Sequence, residues 1–229
     1  MQRFFSMDNG LFRALNRISD LMILNLIFIL CCIPVVTIGP ALTGLYYVTL
    51  KIASNEEGYI VRGFFKSFKQ NFRQGLIIWL ILLAAGCVFG VDIFILIQTK
   101  TAFSNVLLVI ISATALVFLM VFLYIFPVLS RFENNIRATF KNSLIIAVAD
   151  FPRTFVMMVI TAAAVILTFW NSITLWYGLL VWILVGFSGL AFINSHFLNK
   201  IFAKYMPEED AAGDEADENT ADEDSAKRL

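Results

Sequence analysis

Histidine is almost missing from this chain: His196, in INSHFLNK, is the single one among 229 residues. One imidazole, with no carboxylate pair or second ligand at a metal-ligand spacing, excludes a histidine-rich metal centre and reads as an interfacial residue at the end of the last helix. Cysteine is scarce too. Cys31, Cys32 and Cys87 lie inside apolar stretches, where a free thiol acts as a small hydrophobe, and adjacent cysteines rarely bond each other. Neither oxidative nor catalytic use is expected of them. G-x-S-x-G, P-loop and H-E-x-x-H patterns are absent as well. The chain therefore reads as a non-enzyme, with no catalytic residues, no cofactor and no metal.

Apolar surface is what the sequence has in excess. Hydrophobic residues make up 59% and the mean hydropathy is +0.81, against about 45–50% apolar in a soluble domain. Apolar runs fall at about 21–38, 41–53, 76–98, 103–130, 154–170 and 173–198, and a spanning helix needs roughly 20 residues. The expected fold class is all-α: a polytopic integral membrane protein of about six segments, paired as three helical hairpins, with amphipathic interfacial helices. The second segment is short or re-entrant. No A-x-A-like cleavage site follows the first run, so it is expected to stay in the mature protein.

Zero net charge hides an asymmetry. Residues 206–229 carry ten acids and two bases, whereas residues 1–205 carry seven acids and fifteen bases, which is −8 against +8. Two parts follow: a membrane domain over 1–205 and an acidic cytoplasmic tail over 206–229, expected to be disordered because it has little apolar surface to bury and a dense like-charge run. The tail reads either as a solvated terminus or as an arm that docks on a basic surface of its own body or a partner. Lysine and arginine cluster before the first run (Arg3, Arg13, Arg17), after the second (Lys51, Arg62, Lys66, Lys69, Arg73), after the fourth (Arg131, Arg137, Lys141, Arg153) and after the sixth (Lys200, Lys204). By the positive-inside rule these segments, and both chain ends, are cytoplasmic.

The stretch ILCCIPVVTIGPALTGLYY then has to turn back. Pro34, Gly39 and Pro40 together can break a helix in the outer half of the membrane. The returning leg from Ala41 covers only about 20 Å at helical rise. The alternative is one long kinked helix with the N-terminus outside and five spans. The break also offers Thr37, Thr43 and Gly44, and such discontinuous helices bind polar solutes in carriers. A packed turn needing small residues is the plainer reading.

Two polar residues stand out within the runs. Asp92 is the only acid there, near the outer boundary, and reads as an interfacial carboxylate or a buried solute contact. Asn25 lies deeper and suits a hydrogen bond between helices. Gly86 and Gly90 form a GxxxG, which serves an internal contact or a homo-oligomer equally well. In YIVRGFFKSFKQNFRQ, Phe64, Phe65, Phe68 and Phe72 recur at helical spacing among the cations, which suits a helix in the headgroup plane. Asn71-Phe72-Arg73 and Asp150-Phe151-Pro152-Arg153 precede the third and fifth segments in the manner of a degenerate repeat.

LNRISDLMILNLIFILCCIPVVTIGPALTGLYYVTLKIASNEEGYIVRGFFKSFKQNFRQGLIIW, with FPVLSRFENN and FKNSL further on, resembles the YesL-type family of bacterial membrane proteins, grouped under a domain of unknown function. The resemblance covers about residues 1–205, and PVVTIGPALTGLYY followed by FFKSFKQNF is its most specific part. It implies a polytopic plasma-membrane protein encoded among carbohydrate uptake and degradation genes, and no assigned reaction. Three function classes follow: an accessory to carbohydrate uptake, a stand-alone solute carrier, and, least supported, an intramembrane enzyme. On the accessory reading Arg62, Lys66, Lys69, Arg73, Arg131, Arg137 and Lys141 contact carbohydrate transporter subunits. The lipid bilayer is the other expected partner; nucleic acid is not one.

Overall fold

The computed structural model describes residues 10–56, 58–99, 102–132 and 134–205. The acidic tail, Arg3 and Lys100 lie outside them. Every element among the described residues is helical, and six stretches are long and apolar enough to cross a membrane: Leu15–Cys32, Val35–Ala53, Phe72–Gln98, Phe103–Arg131, Phe151–Phe169 and Ser172–Tyr205.

Helix α1 (Gly10–Cys32) stops where Pro34 constrains Ile33. A single 3-10 turn, Val35–Thr37, then leads into α2 (Ile38–Ala53). The Thr37 hydroxyl lies within donating distance of the Cys31 carbonyl at 2.6 Å and the Pro34 carbonyl at 2.7 Å, groups a helix end leaves without intrahelical partners. The break is thus shorter than the expected Pro34-to-Pro40 turn. Gly39 and Pro40 sit inside the first turn of α2, where a missing N–H is harmless, and the first apolar run ends at Cys32 instead of 38.

α2 is the centre of the molecule. Ten residues of Ile38–Ala53 are buried inside the protein, against three of the longer Phe72–Gln98, so the segment that looked weakest is the one the others surround. Sixteen α residues and three 3-10 residues also give about 30 Å, the thickness of the hydrocarbon core. α2 packs against α1, α3 (Ile60–Gln70), α4 (Phe72–Gln98), α5 (Ala102–Arg131) and α9 (Phe187–Tyr205).

Two short helices lead directly into spans. α3 meets α4 at Asn71, and α6 (Ile136–Ala149) meets α7 (Phe151–Phe169) at Asp150, each through one non-helical residue. The last stretch is α8 (Ser172–Val181), a π turn at Trp182–Gly186, and α9. Asn171 starts α8 with a reciprocal cap: its side chain accepts from the Thr174 N–H at 2.8 Å and its own N–H donates to the Thr174 hydroxyl at 3.0 Å.

The core lies at the end of the bundle that carries the basic residues. There α4 and α7 begin, α5 and α9 end, and Leu24, Leu45, Phe64, Ile78, Tyr124, Met157 and Leu198 are fully buried. Residues Leu123 to Ser130 of α5 are buried on every side, which shelters the backbone around Pro127. At the other end Val88, Val91, Phe94, Val106, Val109 and Ile110 are exposed. An apolar surface of that extent is incompatible with water and suited to lipid tails.

Candidate functional site

The α1–α2 break is closed by backbone contact. A methyl group built on Gly39 would lie 2.2 Å from the Gly75 carbonyl oxygen and 2.5 Å from the Trp79 Cβ; one on Gly75 would lie 3.0 Å from the Pro40 nitrogen. α2 and α4 therefore cross with two glycines face to face, the close approach that membrane helices achieve with small residues. The Trp79 indole donates to the Val35 carbonyl at 2.8 Å and ties the 3-10 turn to the same crossing. One turn further along α2, Thr43 turns its hydroxyl back to the Gly39 carbonyl at 3.0 Å, and Gly44 leaves room for the Phe64 ring, 3.1 Å from where its Cβ would stand. Gly39, Pro40, Thr43 and Gly44 are all buried, whereas Pro34 is exposed.

Asn25 is fully buried and joins the first span to the last. Its amide donates to the Trp182 carbonyl at 3.0 Å and the Ile183 carbonyl at 2.8 Å, and its oxygen accepts the Ser188 N–H at 3.0 Å. The Ser188 hydroxyl returns a bond to the Leu21 carbonyl at 2.7 Å. The π turn has shifted the regular hydrogen-bond register, and one asparagine supplies what the backbone there lacks. Asp92 is half-buried near the end of α4 and belongs to neither this joint nor the glycine crossing.

A second polar assembly gathers at the loop after α2. Asn55 takes the left-handed conformation, φ 61°, which asparagine tolerates better than most residues. The Arg17 guanidinium donates to its side chain. Glu56 faces Lys51 at 3.7 Å and Arg131 at 4.0 Å, and the Asn199 amide donates to the Leu50 carbonyl at 3.0 Å and the Ser54 hydroxyl at 2.8 Å. Helices α1, α2, α5 and α9 are thus tied to one loop. Arg62, Lys66, Lys69, Arg73, Arg137 and Lys141 are exposed on α3, the start of α4 and α6, while Arg131 is half-buried.

Sequence reasoning noticed Asp150 only as a repeat element, and Arg153 as a repeat element and one of the cytoplasmic cations. Asp150 is buried at the α6–α7 break and pairs with Arg153. Beside it the Tyr124 hydroxyl meets the Thr154 hydroxyl at 2.7 Å, and Thr154 also reaches the carbonyls of Ala147 and Asp150 at 2.9 and 3.0 Å. Thr49 and Ser195, another pair the sequence did not flag, bond at 2.9 Å between α2 and α9. The available signal was polarity inside apolar runs, which marks the residues but not their partners.

A family model described as "Protein of unknown function, DUF624" matches residues 21–93, the stretch that holds Asn25, the break, the glycine crossing, the Glu56 loop and α3. "Uncharacterized protein YesL" of Bacillus subtilis (strain 168) is 29% identical over 208 residues, covering 89% of this chain and 91% of its own. No solved structure matches the chain. The family match falls on the most specific part of the resemblance, and the relative runs almost end to end; both support the likeness of this chain to the YesL-type DUF624 proteins.

Proposed function

We propose that the protein is a non-enzymatic accessory of carbohydrate uptake in the bacterial plasma membrane. On this reading its spans form three hairpins with both chain ends cytoplasmic, and its basic helices contact transporter subunits. The observation that supports it over a stand-alone carrier is the closed break: the Gly39–Gly75 crossing leaves no room for even one methyl group where a solute would have to bind. The hydroxyls of Thr37 and Thr43 reach backbone carbonyls and Asn25 spends its amide on the last span. These polar groups are thus taken up by backbone of the protein itself, while the cations of α3 and α6 face outward. Phe65 and Phe72 are also partly exposed, which favours an α3 lying at headgroup depth. The carbohydrate assignment comes from the family resemblance.

Cross-linking in the native cell, followed by mild-detergent purification through a C-terminal tag, tests the reading. Stoichiometric recovery of sugar-transporter subunits is expected, with loss when Lys69, Arg73, Arg137 and Lys141 are all replaced by Glu. Recovery of the protein alone, together with solute uptake by liposomes that contain nothing else, overturns it in favour of the carrier.

A further inference from the structure

The chain leaves the described fold at a defined corner. The Tyr205 hydroxyl donates to the Ala149 carbonyl at 3.2 Å, and Phe202 meets Phe132 edge-on with ring centroids 5.3 Å apart. Phe132 lies just before α6 and Ala149 closes it, so the end of α9 touches the last residue of α6 and the segment that leads into it. Arg137 and Lys141 stand one turn apart on α6, Lys200 and Lys204 one turn apart on α9, and all four are exposed. At about 1.5 Å per residue, Lys141 and Arg137 lie about 12 and 18 Å along α6 from Ala149, and Lys200 about 8 Å along α9 from Tyr205. The Lys204 ammonium rests 4.7 Å over the Tyr205 ring. None of these four cations has an acidic partner among the described residues. By contrast, Arg153 has Asp150, and Lys51 and Arg131 share Glu56.

The sequence beyond Tyr205 is the complement of that surface. Residues 208–224 hold ten Asp and Glu and no base. Glu208 is three residues past Tyr205, at most about 10 Å away, and Asp224 can reach about 65 Å, so the acidic run can cover the whole cationic corner. We propose that the acidic segment 208–224 docks on the face made by Arg137, Lys141, Lys200 and Lys204 and shields it. Being tethered, it is present there at an effective concentration of order millimolar. Contacts too weak to retain a free peptide suffice, and any other anion must displace the segment to reach these cations. The inference rests on charge and chain path and stands independently of the accessory reading.

The test is a spin label at Ala216→Cys, with Cys31, Cys32 and Cys87 replaced by Ala, on the full chain in nanodiscs of neutral lipid. A motionally slowed component is expected at 0.1 M salt, where the screening length is about 10 Å, falling severalfold at 1 M, where it is about 3 Å. Replacing Arg137, Lys141, Lys200 and Lys204 by Glu should remove it, while Lys69→Glu with Arg73→Glu on α3 and α4 leaves it intact. A fast spectrum at low salt overturns the proposal, as does a slowed component indifferent to the fourfold reversal. Release of the label is also expected when anionic phospholipid enters the discs, because its headgroups must displace the segment to reach the same cations. Should the fourfold variant fail to fold, the salt series on the unreversed chain decides alone.

Discussion

Gly39→Ala tests the glycine crossing most directly. The added methyl would stand 2.2 Å from the Gly75 oxygen and 2.5 Å from the Trp79 Cβ, where relaxed contacts between carbon atoms fall at about 3.5–4.0 Å. The nearest atom is a backbone carbonyl, which cannot rotate away, so α2 and α4 must separate by about 1 Å. That places the cost near the top of the about 1–3 kcal/mol range for overpacking. Alanine returns up to about 1 kcal/mol of helix propensity, leaving a net loss of about 2 kcal/mol. At about 2–4 °C per kcal/mol for a chain of this size, the melting midpoint should fall by about 4–8 °C. Gly75→Ala, whose nearest contacts are 3.0 and 3.1 Å, should fall less. Gly86→Ala, which meets only Phe118 at 3.8 Å, should hold or rise. Heating detergent extracts and measuring the surviving monodisperse fraction by fluorescence-detected gel filtration gives all three midpoints, with membrane abundance as a second readout. Equal stability of Gly39→Ala and wild type, or equal loss in Gly86→Ala, would refute the crossing.

The remaining polar contacts make smaller predictions by the same assay. Asn25→Leu strands the carbonyls of Trp182 and Ile183 and the Ser188 N–H, and should cost about 1–2 kcal/mol, the upper range for hydrogen bonds between membrane helices; an unchanged midpoint would show that the π turn needs no partner. Tyr124→Phe removes one bond to Thr154, while Thr154→Val removes that bond and those to Ala147 and Asp150, so valine should be the more damaging change, by about 1 kcal/mol; the reverse order counts against the network. Glu56→Gln breaks two partly exposed ion pairs at 3.7 and 4.0 Å and should cost less than about 1 kcal/mol. That small loss should vanish in 1 M salt, and a large salt-independent loss would mean that Glu56 has another role.

Existence of the spans was legible because hydropathy depends on composition alone, and α3 was legible because Phe64, Phe68 and the cations repeat at helical spacing. Which helix the others surround was not. Lipid tails and neighbouring helices are equally apolar, so a sequence cannot separate a face against protein from one against lipid. α2 looked weak for being short, yet Gly39 and Gly44 bring α4 and α3 close enough to bury it. The GxxxG at Gly86 and Gly90 makes no close helix crossing within the chain. Gly86 has ordinary contact with Phe118, and no heavy atom lies within 4 Å of the Cβ position at Gly90, whereas the functioning pair, Gly39 and Gly75, is 36 residues apart in sequence and forms no motif. Pro40 misled, because a proline in the first turn of a helix reads much like one that ends it.

The repeat that was faint in the sequence is firmer in the geometry. A span, a short helix, a one-residue break and a second span occur as α2–α3–α4 and again as α5–α6–α7. Counted from the breaks at Asn71 and Asp150, the residue four on is buried in both, Gly75 and Thr154, and the residue seven on is fully buried in both, Ile78 and Met157. In each unit the residue four on touches the preceding span: Gly75 approaches Pro40 on α2, and Thr154 bonds Tyr124 on α5. The contact chemistry differs, two backbones in one unit and two hydroxyls in the other, which is why residue identity hid what position reveals. A break of one residue fixes where the next span starts, the start fixes which face meets the preceding span, and either a glycine or a threonine can serve there. What the two units share is therefore a register, which chemical likeness along the sequence does not record.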